Sequence, residues 1–359
     1  VSVSALLEDK AICICAGAGG VGKTTTSAAI AVGMARRGLK VAVLTIDPAR
    51  RLANSLGLPE LGNEERRVEL DAPGELWAMM LDAKSTFDEI VERNAPDAAT
   101  RDAVLSNRIY KELSTAVAGS QEYMAMEKLH ELHAEGRFDL LVLDTPPSRN
   151  ALDFLDAPDR LSRFIDSRSL HFFVAPSRTG LKIFSRGTGL LFSVLKRVTG
   201  VDLLQDLSDF FSSFGSMAEG FRDRAKAVKA LLGDDRTTFL LVTSPAQEAI
   251  AEAQFFRDRL EEADMPFGGV VVNRMHTEAD GDGEVPAGLG EELAQKLREN
   301  YEDFHALAER DRRSVELLAG DIGDRPLIVV PYLDDDVHDL AGLEAMNEHL
   351  FGASYTGAE

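Results

Sequence analysis

Residues 17–24 read Gly-Ala-Gly-Gly-Val-Gly-Lys-Thr and match the pattern G-x-x-x-x-G-K-[ST]. Each residue type has a task in that pattern. Gly17, Gly19, Gly20 and Gly22 let backbone N–H groups turn inward around phosphate oxygens, and Val21 and Thr25 complete the stretch of chain that would touch a nucleotide. A helix beginning near Lys23 points its positive end at the same anion. Lys23 suits the β and γ phosphates, and the Thr24 hydroxyl suits Mg2+. The same residues also spell G-x-G-x-x-G at Gly17, Gly19 and Gly22, with Asp47 closing the next apolar run as a dinucleotide site would have it. Lys23-Thr24 decides between the two. A dinucleotide helix needs neither residue there, whereas a triphosphate and its metal need both.

Two acids follow at the ends of apolar runs. Asp47 opens Asp47-Pro48-Ala49-Arg50, beside the phosphate loop at the carboxyl end of a strand, where α/β sheets bind ligands. A carboxylate there can orient or deprotonate an attacking water. Asp-Pro also opens helices, so the residues alone leave a helix cap equally open. Asp144 ends the run 140–143 and begins Asp-Thr-Pro-Pro. Downstream of a phosphate loop, that is the placement of an acid acting on Mg2+ directly or through water, against the alternative of a turn-forming Asp.

These side chains need a scaffold. Residues 11–16 form a short apolar run, an Ala/Ile/Val/Met helix is expected over 23–37, Gly38 stands where a helix C-cap belongs, and 41–46 is a second apolar run. This is a βαβ unit. Further buried strands are expected at 76–81, 140–143, 239–243, 270–272 and 327–330. Their continuous apolar character suits a parallel sheet covered on both faces. Two stretches, 85–135 and 150–232, look helical throughout. The expectation is one α/β domain over 1–359, with a mostly parallel sheet between helices and an inserted α-helical subdomain. The polar stretch 278–284 reads as a solvated loop.

Composition narrows the partners. Thirty-nine Lys and Arg against 60 Asp and Glu give a net charge of −21, which argues against a nucleic-acid binder. Residues 1–10 lack the basic start and apolar run of an export signal, and no run is long enough to span a membrane. The only cysteines are Cys13 and Cys15. They cannot make a disulfide framework, and a cytoplasmic setting is the simplest. Small buried thiols in the first strand are the expected role for both. His130 and His133, three apart on one helix with Glu127 and Glu135 nearby, read as part of an exposed face, a metal site being the alternative.

The motifs GAGGVGKTTT (17–26), TIDPARRLANSLG (45–57), LVLDTPPSRNALDFLDAP (141–158), TTFLLVTSP (237–245), GGVVVNR (268–274) and VVPYL (329–333) fall in one order along the chain. Together they resemble the ArsA-type ATPases, which include bacterial arsenite-pump ATPase subunits and eukaryotic targeting ATPases for tail-anchored membrane proteins. The likeness is strongest to single-copy bacterial members, especially actinobacterial ones, which share WAMMLDAKSTFDEIV (77–91) and GSQEYMAMEKL (119–129). The resemblance implies a P-loop ATPase with ATP and Mg2+ as its cofactors. It assigns Lys23 and Thr24 to phosphate and Mg2+, Asp47 to water activation as the first switch and Asp144 to the second switch, with Thr24, Asp47 and Asp144 as the metal set. Asn273 would bond adenine, with Pro331 and Tyr332 lining the base. It also implies a dimer, of like chains or with a paralogous ATPase, closing over ATP. Three departures stand out. The family's second loop lysine is replaced by Ala18, Arg50-Arg51 occupies the switch after Asp47, and the Cys-x-x-Cys of zinc-clamped dimers is missing. Arg50 or Arg51 would serve either as a γ-phosphate clamp or as a solvated surface charge.

Within 160–200, Arg160, Arg163, Arg168, Arg178, Lys182, Arg186, Lys196 and Arg197 face a single acid, Asp166, and alternate with Phe172, Phe173, Phe184 and Phe192. This suits either a contact surface for a hydrophobic client or a peripheral membrane interface. A bundle burying its own Phe is the alternative. Three functions remain in view: an ATPase that binds and releases a hydrophobic client, the energising subunit of an arsenite or anion pump, and a weakly hydrolysing ATP-binding partner in a heterodimer. The absence of thiols in the helical region counts against the second, and Ala18 favours the third.

Overall fold

The apolar runs become the strands of one sheet. The structure, a computed structural model, describes residues 2–47, 49–108, 110–111, 121–146, 158–159, 210, 213, 217–278 and 289–352. The strands are β1 (Ile12–Ala16), β2 (Lys40–Thr45), β3 (Arg66–Val68), β4 (Glu75–Met80), β5 (Leu140–Asp144), β6 (Thr237–Thr243), β7 (Phe267–Met275) and β8 (Leu327–Pro331). They line up in the order β3-β4-β2-β5-β1-β6-β7-β8. Every neighbouring pair is parallel except β3 with β4. β1, β5 and β6 are buried at every position, which is the reason they read as unbroken apolar runs.

The helices, in chain order, are α1 (Val3–Leu6), α2 (Lys23–Ala35), α3 (Arg51–Ser55), α4 (Ala83–Asn94), α5 (Ala98–Ser106), α6 (Gln121–Glu135), α7 (Ala218–Leu232), α8 (Gln247–Glu262), α9 (Glu291–Ile322) and α10 (Leu340–Leu350). α2 lies under both the sheet and α10, and is buried nearly all round. After Ser27 its sequence is accordingly apolar on every face, with Ala and Gly allowing close approach. At Gly33 a side chain would run into the Phe351 ring, and that ring also carries the Arg37 guanidinium 3.9 Å from its centre.

The chain divides into two compact units. One comprises Val1–Leu81, Leu129–Phe154 and Leu231–Glu359, and holds the sheet. The other comprises Asp82–Lys128 and Leu155–Ala230. Among its described residues, Phe87 stacks on Tyr110 and meets Phe221, and Tyr110 meets Phe210, making an aromatic core. Asp82 and Asp97 cap α4 and α5 by accepting from the N–H of Ser85 and Thr100. Buried Glu127 pairs with Arg224 and accepts from the Tyr123 hydroxyl. The basic, Phe-rich window 160–200 and most of the loop 278–284 lie outside the described residues.

Among the described residues, no helix is long and apolar enough to cross a membrane.

Candidate active site

The phosphate loop runs from the end of β1 to the start of α2. Gly22 is the N-cap of α2 in the left-handed region, at φ 93°, and no side chain caps the helix. The first N–H groups of a thirteen-residue helix are thus left to the loop and to a ligand. A Cβ on Gly22 would lie 2.3 Å from Asn273 Nδ2, so only glycine serves there. Gly17 packs on the backbone of β6, where a Cβ would lie 2.0 Å from the Val242 carbonyl oxygen. Gly19 and Gly20 are exposed at the tip, and Val21 is buried behind them. Lys23 is buried, and its ammonium donates to the Ala18 carbonyl at 2.7 Å. Burial pulls its pKa down, against the opposing charges of Asp144 and Asp47. A phosphate beside it would supply the missing negative charge.

Strand register gathers the next group. Asp144 at the end of β5 pairs with Cys15 of β1 on one side and Thr45 of β2 on the other. Its Oδ2 accepts from Thr24 Oγ1 at 2.7 Å and from Thr45 Oγ1 at 2.8 Å. Its Oδ1 is buried with no hydrogen-bond partner. Such an orphan is rare and calls for a ligand or an ion. Burial pushes the Asp144 carboxyl up to about 6, while the two threonine hydroxyls and Lys23 restrain the rise. Mg2+ wants hard oxygen donors. The free Oδ1 and the adjoining Thr24 hydroxyl fit that demand.

Asp47 lies two residues past the end of β2. Its N–H donates to Thr45 Oγ1 at 3.1 Å, and its Oδ1 accepts from the Ala49 N–H at 2.9 Å. Arg51 stands 3.5 Å from its Oδ2, with a largely exposed side chain. The N-cap of α3 is Arg50, not Asp47, and Arg50 holds a left-handed backbone at φ 55°. Asp47 therefore closes a turn rather than capping a helix. It also lies close enough to Asp144 and Lys23 to shift the pKa of both.

On the other side of the loop lies a cavity of about 340 Å³, at the small end for a ligand pocket. Thr25, Asn273, Arg274, Pro331, Tyr332 and Met346 are among its lining residues. The residues expected to touch a base are thus brought together. A register shift between Val272 and Met275 of β7 turns Asn273 and Arg274 out of the ladder with β8. Bulges re-aim side chains in this way. Asn273 Nδ2 donates to the Val21 carbonyl at 2.9 Å, and its Oδ1 accepts from the Arg274 N–H at 3.0 Å. One N–H and one lone pair of the amide remain for a ligand.

Three side chains at this end carried no role in the sequence. Thr45 shares the Asp144 carboxylate with Thr24. Arg274, with φ 60°, donates to the Gly20 carbonyl at 3.3 Å. His276 stacks on Tyr332 with ring centres 5.5 Å apart. Thr45 and Arg274 lie inside quoted motifs, but their partners are set by strand register and by the bulge, neither of which shows in the sequence.

The chain matches the anion-transporting ATPase family over residues 10–310. It is 25% identical over 351 residues to a protein of Aquifex aeolicus named as an arsenical pump-driving ATPase, covering 95% of this chain and 78% of that one. It is 26% identical over 297 residues to the ATPase get3 of Schizosaccharomyces japonicus, covering 80% of this chain and 83% of that one. With the ATPase GET3 of Kluyveromyces lactis the identity is 26% over 324 residues, 85% and 84% of the two chains.

Proposed function

The chain belongs to the anion-transporting ATPase family, whose reaction is ATP hydrolysis, and from that premise we propose that it is a Mg2+-dependent switch ATPase. It would use the nucleotide state, as a dimer, to bind and release a hydrophobic client or membrane partner. The observation that carries the ATP site is the buried Asp144 carboxylate, shared by Thr24 and Thr45 on one oxygen and open on the other, and near enough to Lys23 to feel its charge. Thr24 and Asp144 would hold the metal, which neutralises charge on the β and γ phosphates when bound. Lys23 exchanges its bond to the Ala18 carbonyl for phosphate oxygen. The N-terminus of α2 and the loop N–H groups hold the same anion. Asp47 orients and deprotonates the attacking water, for which its Oδ2 must leave the weak, solvent-exposed contact with Arg51.

The client role rests on the basic, Phe-rich window 160–200 and on the get3 relatives. The name of the Aquifex relative favours a pump subunit instead. Against thiolate capture of a metalloid, the chain's only two cysteines are fully buried in β1. The Cys13 thiol is pushed well up by its hydrogen bond with Cys15 and by burial, away from the reactive thiolate.

The test is Asp47→Asn. It is expected to bind Mg-ATP within about three-fold of the parent chain and to lose about a hundred-fold or more in kcat, read by phosphate release and by calorimetry. Equal turnover in the variant would sink the role given to Asp47.

A further inference from the structure

His276 lies just beyond the bulge of β7, outside the phosphate loop and both acids, yet it is held by three residues. Its Nδ1 is 2.7 Å from Asp311 Oδ2, and its backbone N–H donates to the same oxygen at 3.1 Å. Asp311, on α9, is 1% exposed. The Arg310 guanidinium occupies its other oxygen at 2.8 and 3.1 Å. Burial alone would raise the Asp311 carboxyl, but the bonds from His276 and Arg310 outweigh it and hold the group below its ordinary value. The Phe304 ring meets the imidazole edge-on at 5.6 Å. On a further side the Tyr332 ring lies nearly parallel to the imidazole, 15° from coplanar at 5.5 Å.

Tyr332 is 59% exposed, and its backbone N–H is tied to the Met275 carbonyl at 2.9 Å. It lines the cavity beside Asn273 and Pro331. A tyrosine so exposed would ordinarily sample several rotamers, and ordering it on binding costs affinity. The stack with His276 restricts that freedom in advance. At that spacing the near-parallel rings are offset, so the imidazole backs one edge of one ring face and leaves the opposite face to a planar ligand.

Accepting the ATP site above, we propose that His276 is a positioning residue for the nucleobase: clamped by Asp311, it backs the Tyr332 ring so that the ring forms a preset wall against which a purine stacks. His276 touches neither the phosphates nor the reacting atoms, so its contribution belongs to the base half of the ligand alone.

The experiment compares Mg2+-ADP with Mg2+-pyrophosphate by calorimetry, using the full chain and its His276→Ala and His276→Phe variants. ADP carries the base, pyrophosphate does not, and neither is turned over. His276→Ala is expected to weaken ADP about ten-fold and to leave pyrophosphate unchanged, an aromatic stack being of that size. His276→Phe keeps a ring behind Tyr332 and is expected to stay within about three-fold of the parent for ADP. Unchanged pyrophosphate binding also shows that the variants are folded at the phosphate loop. Equal weakening of both ligands by His276→Ala, or of neither, overturns the proposal. A parent chain that binds ADP no better than pyrophosphate overturns the base wall while leaving the phosphate site intact. A parent chain that binds neither defeats the ATP site itself, and this inference with it.

Discussion

The two oxygens of Asp144 have different fates, and the difference sets a pH dependence. Oδ2 takes two threonine hydroxyls, while Oδ1 is buried without a partner. Burial lifts the carboxyl from 3.8 to about 6. Between those values the native chain holds a proton that the unfolded chain has released. The stability from this group is therefore fully present below about pH 3.8 and is lost as pH rises through about 6. Above that, the uncompensated carboxylate costs on the order of 3 kcal/mol without metal. Asp144→Asn should accordingly gain on the parent chain by on the order of 2 kcal/mol between about pH 4 and about pH 7.5, in urea unfolding without nucleotide or Mg2+. A difference that stays flat across that range would show that Asp144 is not held as described. The acid and its placement after an apolar run were legible in the sequence. The sharing of one oxygen by Thr24 and Thr45 was not, because it depends on three strands meeting in register.

At the scale of elements, the sheet acts as a ruler. The carboxyl ends of β2, β5 and β1 stand side by side, which puts Thr45, Asp144 and the phosphate loop together. Strands β1, β5 and β6 were the most legible because their residues are buried on both faces. Strand β3 was not, since two of its three residues are exposed arginines on an antiparallel edge. The bulge in β7 was equally invisible, as GGVVVNR reads as one apolar run ended by polar residues. That bulge aims Asn273 across to the Val21 carbonyl, so β7 braces the loop as well as lining the cavity. Asn273→Ala is expected to raise the KM for ATP about ten-fold with kcat within a few-fold of the parent, since the brace and the base contact serve ground and transition states alike. Loss confined to kcat would mean that Asn273 acts on the chemistry instead.

At the scale of the molecule, the net charge of −21 averages over a basic stretch and acidic remainder. The phosphate loop, Asp144 and Asn273 belong to the sheet unit, and the basic, Phe-rich window falls within the chain span of the second unit. If the chain closes over ATP as the proposed dimer, Ala18 raises a charge question, since a lysine there would reach toward a partner's phosphates. Here the position is small and buried, and its carbonyl receives Lys23. Ala18→Lys should make the hydrolysis rate per chain climb about ten-fold or more across a dilution series, while the parent's rate per chain stays nearly flat. An unchanged rate at every protein concentration would argue against that position as the missing trans charge.

The sequence by itself determined the phosphate loop, the two acids, the parallel α/β class and the membership that the ordered motifs announced. These are local properties: a glycine pattern, an apolar run closed by an acid, and a lysine-threonine pair at a helix start depend on neighbours a few residues away. Tertiary structure decided which atoms of those residues are committed and which are free. It left Asp144 Oδ1 open, tied Asn273 to Val21 some 250 positions back in the chain, and set His276 between Asp311 and Tyr332. Each of those contacts joins residues far apart in sequence, through strand register, a bulge and the packing of α9. No local pattern encodes their geometry.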